Sequence, residues 1–294
     1  MRNVLIFFLA MALLSSCMPE TQNKHLTYQN IVILADMSSR IKNPRFPPKD
    51  NNEIHKIIQY FKSECVKPGE KIGDKSSITF SAFSEKIAVS IDLEEFKDLG
   101  DKQSFINSTN KYKDSGLSNK LVAFEDTVKS LYNRITNPGL DLISMLIEKI
   151  ENENIVKQNR VISDGIDTTF INYENHIYIF TDGYLEYGSS QKRQNNQFYF
   201  GEPEIEAVRR HCLENRVDVT SALKLNKSLN LPACKNSKNK YLNLHIYETQ
   251  ERDKDIKYLT YRYNTGLRDN EILEAVWRNW AKESGFKNFE WKKY

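Results

Sequence analysis

Two short apolar runs, each stopped by an aspartate, constrain this chain more than anything else in it. The first is Ile31-Val32-Ile33-Leu34-Ala35, ended by Asp36; the second is His176-Ile177-Tyr178-Ile179-Phe180, which passes through Thr181 to Asp182 and Gly183. Runs this short and this rich in β-branched residues read as strands covered on both faces, as in a parallel sheet. Elsewhere apolar residues recur at helical spacing over residues 51–67, 121–134, 140–151, 202–213 and 270–284. Residues 77–83 and 86–91 alternate like a hairpin, and 241–248 like a further strand. Strands alternating with helices predict an α/β fold: a doubly wound, mostly parallel sheet with helices on both faces, in three layers. Such sheets bind ligands outside the carboxyl ends of their strands, which makes Asp36 and Asp182 the first candidate site residues.

The N-terminus carries a separate message. Met1-Arg2-Asn3 supplies a positive start, and residues 4–14 form an unbroken apolar run. A spanning helix needs about 20 apolar residues, so this run has the length of a cleaved signal instead. Leu14-Ser15-Ser16-Cys17 resembles the bacterial lipobox. The resemblance implies cleavage before Cys17, acylation of that cysteine, and membrane attachment through lipid alone. Residues 1–16 are then a signal peptide and 17–29 a polar tether, and the protein belongs to the cell envelope, periplasmic or surface-facing. Met18 follows Cys17 where an aspartate would mark inner-membrane retention in enterobacteria, which points to the outer membrane. Residues 30–294 are expected to form one domain, with insertions near 92–120, 155–175 and 213–240.

Composition narrows the partners. Lysine and arginine number 42 against 39 acidic residues, and the basic residues are scattered, with short clusters only at 235–240 and 292–293. A nucleic-acid binder concentrates its charge on one face or helix, so nucleic acid is not expected. Three cysteines remain after Cys17. A disulfide between Cys212 and Cys234 is expected, because the polar segment between them reads as a surface insertion, whereas Cys65 lies in an apolar helical pattern and should be buried and reduced. The sequence has no CxxC or HExxH motif, no Gly-x-Ser-x-Gly elbow and no phosphate-cradling glycine loop.

The two aspartate-ended strands, with Met37-Ser38-Ser39-Arg40 after the first, resemble the first and fourth strands of a von Willebrand factor A-type domain. That resemblance spans residues 30 to about 285. In the family the first strand ends in Asp-x-Ser-x-Ser, a threonine follows on a later loop and an aspartate ends the fourth strand. Together they form a metal-ion-dependent adhesion site completed by an acidic residue of a partner. Carried over, the resemblance implies Asp36, Ser38 and Asp182 as ligands of magnesium, manganese or calcium. Arg40 stands where the second serine belongs, and Leu140, in Gly139-Leu140-Asp141-Leu142, stands where the threonine belongs, with Thr136 as a substitute. Two other readings stay open: both aspartates only cap turns, or Arg40 itself holds the cation position between them.

The expected function is therefore a binding or scaffolding module that contacts another envelope protein through the carboxyl-end face, with or without a divalent metal. Arg40, Tyr184 and Tyr187 are its candidate binding residues, and residues 191–200 the recognition loop. Trp277 and Trp280, at helical spacing, belong to the core, and Asp164-Gly165 to a hairpin turn. The alternatives are a divalent-metal hydrolase of phosphate esters and a structural envelope protein with a dead site.

Overall fold

The computed structural model describes residues 23–69, 74–134, 139–163, 167–187, 198–248, 250–255, 257–262 and 267–294. Its strands are β1 (Asn23–Ala35), β2 (Ser77–Ala82), β3 (Val89–Asp92), β4 (Arg160–Ser163), β5 (Thr168–Thr181), β6 (Leu242–Glu248), β7 (Lys254–Asp255), β8 (Thr260–Tyr261) and β9 (Asn288–Lys293). Its helices are α1 (Phe46–Tyr60), α2 (Leu99–Ile106), α3 (Leu117–Arg134), α4 (Leu142–Asn152), α5 (Glu202–Asn215), α6 (Val219–Leu225) and α7 (Asp269–Glu283).

Two units make up the chain. The larger holds residues 28–157 and 174–294 and contains the sheet β3-β2-β1-β5-β6-β9. β1 pairs with β2 in parallel, Ile31 beside Ile78, and β5, β6 and β9 are parallel to one another, while β3 is the antiparallel edge. Bonds at both ends set β1 alongside β5 in the same direction: Asn30 Nδ2 to Asn175 Oδ1 at 2.8 Å, and Asp36 N–H to the Phe180 carbonyl at 2.8 Å. Strand order therefore reverses between β1 and β5, and the fold is the doubly wound, mostly parallel three-layer α/β sandwich that the alternation of strands and helices predicts.

Side chains one residue apart on a strand point to opposite faces, and the central strands are apolar on both. Val32, Leu34, Ile177, Ile179, Leu244 and Ile246 pack under α4, α5, α6 and α7, whose core includes Trp277 and Trp280. Ile31, Ile33, Ala35, Ile78 and Phe80 pack under α1, α2 and α3.

The smaller unit's described residues are 23–27, 158–163 and 167–173. In it β4 and the start of β5 form an antiparallel hairpin, Arg160 opposite Ile171, and the His25 ring stacks on Phe170 at 4.6 Å. The hairpin is the one expected here, although its Asp164-Gly165 turn lies outside the described residues.

Several expectations change. β1 begins at Asn23, so the described part of the polar tether is strand. The insertion expected near 92–120 contains α2, capped by Asp98 accepting from the Asp101 N–H and anchored by buried Phe105 and Ile106. The expected Cys212–Cys234 disulfide is not formed: all three described cysteines are free. Cys212 sits on the buried stripe of α5 with Ile205 and Val208, turned into the core. Cys234 is held elsewhere, its N–H on Ser284 Oγ and its carbonyl on Asn239. Cys65 is buried, as its apolar surroundings require.

Candidate functional site

β1 and β5 lie side by side at the point where the strand order reverses, and each runs directly into an aspartate. Both aspartates make the same local turn. Asp36 Oδ1 accepts the Ser38 N–H at 3.1 Å, and Asp182 Oδ1 accepts the Tyr184 N–H at 3.2 Å, which turns the chain sharply out of the strand. Gly183, between them in the second turn, has φ +86°, and a Cβ there would come within 2.6 Å of Trp291. Trp277 Nε1 donates to the Gly183 carbonyl at 2.8 Å, so α7 fixes this turn from below.

Each aspartate also has its own arginine. Arg40, on the single 3-10 turn Ser39–Lys42, is buried. Its Nε donates to the Asp36 carbonyl oxygen at 3.0 Å and lies 3.8 Å from Asp36 Oδ2. Its Nη2 donates to Asp50 Oδ2 at 2.6 Å and to the Phe180 carbonyl at 3.1 Å. Asp50, on α1 and fully buried, also accepts from the Tyr132 hydroxyl at 2.8 Å. Arg40 is thus a resident cation beside Asp36, as its place in the sequence suggested, but its head is turned to Asp50 and not between the two strand-end aspartates. Burial works against its charge, and Asp50 and Asp36 overcome that and raise its pKa.

Asp182 is met by Arg252, from the connection after β6. Arg252 Nε donates to Asp182 Oδ2 at 2.7 Å, Nη1 donates to Glu186 Oε2, and the guanidinium lies 4.0 Å from the centroid of the Tyr184 ring. The Tyr184 hydroxyl in turn donates to Asp269 Oδ2 at 2.6 Å, and Asp269 is paired with Arg209. Burial first, then the bond to Asp269, pushes the Tyr184 pKa well up.

A cavity of about 70 Å³ opens among Asp36, Ser38, Ser39, Gly139, Leu140, Leu142, Tyr184, Glu186 and Arg252. Gly139, with φ +102°, brings its loop against the far wall: a Cβ there would meet the Glu186 carbonyl oxygen at 2.4 Å. Asp36 and Ser38 reach this cavity. Asp182 does not line it, because Arg252 covers it. Tyr184 forms a wall instead of an exposed contact, and Tyr187 is buried, edge-on to Tyr199 at 5.5 Å. Thr136 and residues 191–197 of the recognition loop lie outside the described residues.

Among the described residues, four carboxylates pair with the two arginines: Asp36 and Asp50 with Arg40, Asp182 and Glu186 with Arg252. Burial pushes the Asp36 carboxyl up to about 6; Arg40 opposes this, Asp182 adds to it, and the hydroxyls of Thr181 and Ser38 pull it down. Glu248, at the end of the next strand and bonded to Trp291 Nε1 at 2.9 Å, is pushed up by burial to about 8, against Trp291 and Lys293. Three adjacent parallel strands therefore end in a carboxylate.

A hard divalent cation asks for about six oxygen donors in near-octahedral array if it is magnesium, and for six to eight if calcium. The residues present do not fit that demand. The outer oxygen of Asp182 is taken by Arg252, Ser38 Oγ points back to Asp36 Oδ2 at 3.3 Å, and Leu140 lends the cavity an apolar side chain where the adhesion site has a hydroxyl. Among the described residues no group of three His, Cys, Asp or Glu side chains is placed to hold a metal ion. Asp141, in the segment resembling the family's threonine loop, caps α4 by accepting the Ser144 N–H at 3.0 Å.

Sequence reasoning missed Asp50, Thr181, Glu186, Glu248 and Arg252. Thr181 had a signal, as the hydroxyl beside a strand-end aspartate; its Oγ1 donates to Asp36 Oδ2 at 3.2 Å. Arg252 had none, being 70 residues from Asp182. No protein-family model matches this chain. No curated protein matches it in sequence.

Proposed function

We propose that this chain is a lipid-anchored binding or scaffolding module of the cell envelope, similar to a von Willebrand factor A-type domain. It engages another envelope protein through the carboxyl-end face of its sheet, without a metal. The observation that carries the reading is the pair of buried aspartates ending two adjacent strands at the switch point, beside a polar cavity, which is where open α/β sheets place their ligands. The anchor rests on Leu14-Ser15-Ser16-Cys17, which lies outside the described residues, and outer-membrane placement on the absence of an aspartate after Cys17.

Within the larger unit β1 runs from Tyr28 to Ala35. At about 3.3 Å per residue that is roughly 25 Å from the amino to the carboxyl end of the sheet, the end at which the cavity lies.

The test has two arms. Palmitate labelling in cells should be lost in Cys17→Ser; labelling that persists sinks the anchor. A photo-crosslinking residue at exposed Ser39, beside the cavity, should trap one defined envelope protein, and the same residue at exposed Lys287, at the amino end of β9, should not. Identical patterns from both positions, or none from Ser39, would sink the binding face.

A further inference from the structure

Arg252 reaches the carboxyl end of the sheet from a distant part of the chain and is held as a ligand would be. Two carboxylates take its edge, Asp182 at 2.7 Å and Glu186, and an aromatic ring takes its face, Tyr184 at 4.0 Å. A planar cation satisfied in both ways at once is in a guanidinium cage. Asp182, Tyr184 and the backbone at Glu186 are also held by contacts that do not involve Arg252. Asp182 is set by its own turn and Tyr184 by the bond to Asp269. Glu186 is flanked by the backbone pairing of Leu185 with Phe200, with Gly139 packed on its carbonyl. Arg252 itself belongs to a connection, and about a third of its side chain is exposed, 35%. Beside it the cavity continues to Asp36, Ser38 and Ser39, and among the described residues lining it are two carboxylates, Asp36 and Glu186, and one guanidinium, Arg252.

We infer that the cage of Asp182, Glu186 and Tyr184 is the ligand-binding element of this face, and that Arg252 fills it as an intramolecular stand-in. The partner group it takes is a cationic side chain, arginine above all, which displaces Arg252. This rests on the proposal that the carboxyl-end face binds a partner, and deepens it by giving the ligand its charge. The polarity is the reverse of a metal adhesion site, which is completed by an acidic residue. A carboxylate brought to this cavity would meet Asp36 and Glu186; a guanidinium meets the partners that already hold one.

The occupant sets the apparent affinity. A site open for only a fraction of the time binds more weakly by that fraction, so removing Arg252 should strengthen binding of an external cation by on the order of tenfold or more. The experiment titrates N-acetylarginine methylamide into the full chain and its Arg252→Ala variant, followed by the Tyr184 ring resonances and by thermal melting. Matched titrations use N-acetyllysine methylamide, sodium acetate and magnesium chloride at constant ionic strength. Expected are saturable shifts of Tyr184 with the arginine compound, weaker ones with lysine, tighter binding in Arg252→Ala than in the parent chain, partial recovery of the variant's melting temperature, and loss of all of these when Glu186→Gln is added. Equal affinity in parent and variant, no saturable shift in either, or an equal response to acetate or magnesium would overturn the inference. Should Arg252→Ala fail to fold, Arg252→Gln, which retains a hydrogen-bonding head, takes its place with the same readings. The probe needs no partner protein, so its failure is separate from a failure of the crosslinking at Ser39.

Discussion

Asp36 and Asp182 are the same residue type in the same place on neighbouring strands, making the same turn, and each is neutralised by an arginine, yet the two pairs belong to different regimes. Arg40 is four residues from Asp36, buried, and locked through Asp50 and Tyr132 into the core beneath α1. Arg252 is 70 residues from Asp182, partly exposed, and among the described residues it is bonded to buried Asp182 and to Glu186 on the cavity wall. A buried ion pair costs much to break because the surviving charge is stranded in low dielectric, whereas a solvated one is weak and replaceable. The first arginine is therefore framework, with both partners of its pair buried, whereas in the second pair only Asp182 is buried and Arg252 keeps about a third of its side chain in solvent.

The sharpest way to break that contrast is Arg40→Ala. It strands Asp50 with only Tyr132 as a donor and leaves the Asp36 and Phe180 carbonyls without their side-chain bond, and should cost about 3–5 kcal/mol of unfolding free energy, read by urea denaturation. Arg40→Lys, which retains the charge without the planar fork, should recover only part of the loss. A loss under about 1 kcal/mol, the range of exposed pairs, would remove the distinction between the two arginines.

The next effect is pH dependence. The folded state holds a proton on Asp36 up to about pH 6, above the ordinary value of 3.8, so it binds that proton more tightly than the unfolded chain does. The contribution of Asp36 is fully present below about pH 4 and is lost as pH rises to about 6, a change on the order of 3 kcal/mol. Glu248 prolongs the same loss toward pH 8. His176 acts in the opposite sense: burial first, then His245, lowers it from 6.5 to about 4, so stability is lost as pH falls through that interval. The opposing slopes overlap, which makes the parent chain a poor witness. The informative quantity is the stability of Asp36→Asn minus that of the parent, which should rise between pH 4 and 6; a flat difference would show that the carboxyl ionises as in water.

How much of this was legible in the sequence follows from the range of the forces involved. The strands containing Ile31–Leu34 and Ile177–Phe180 announce themselves because burial on both faces demands uninterrupted apolar residues, and so both strand-end aspartates could be placed before any coordinates were known. α2 was hidden because only Phe105 and Ile106 mark its buried side in a polar stretch. Arg40 was visible as a cation standing where a serine was expected, but Asp50 reads equally well as a helix-start residue, and nothing local says that the two meet. Arg252 was out of reach altogether: an ion pair across 70 residues has no period or spacing to betray it. The chemistry of the site changed accordingly, from two carboxylates waiting for a cation to two carboxylates that already have one each.

The smallest expected effect bears most on function. Arg252→Ala leaves buried Asp182 without its arginine and removes a partly exposed pair to Glu186 and the contact with the Tyr184 ring. Because Arg252 itself is about a third exposed, the loss should fall between the ranges of exposed and buried pairs, at about 2 kcal/mol. Because the charges are exposed to screening, the difference from the parent should shrink between low salt and about 0.5 M sodium chloride, where the Debye length falls to about 4 Å, while the Arg40→Ala difference should hold. A double-mutant cycle with Glu186→Gln separates the outer bond from the inner one and should give a coupling of about 0.5–1 kcal/mol. A loss as large and as salt-insensitive as that of Arg40→Ala would mean that Arg252 is framework too. In that case the cage is permanently filled, and the partner must be met by the rim of the cavity at Ser39 instead of through exchange of one arginine for another.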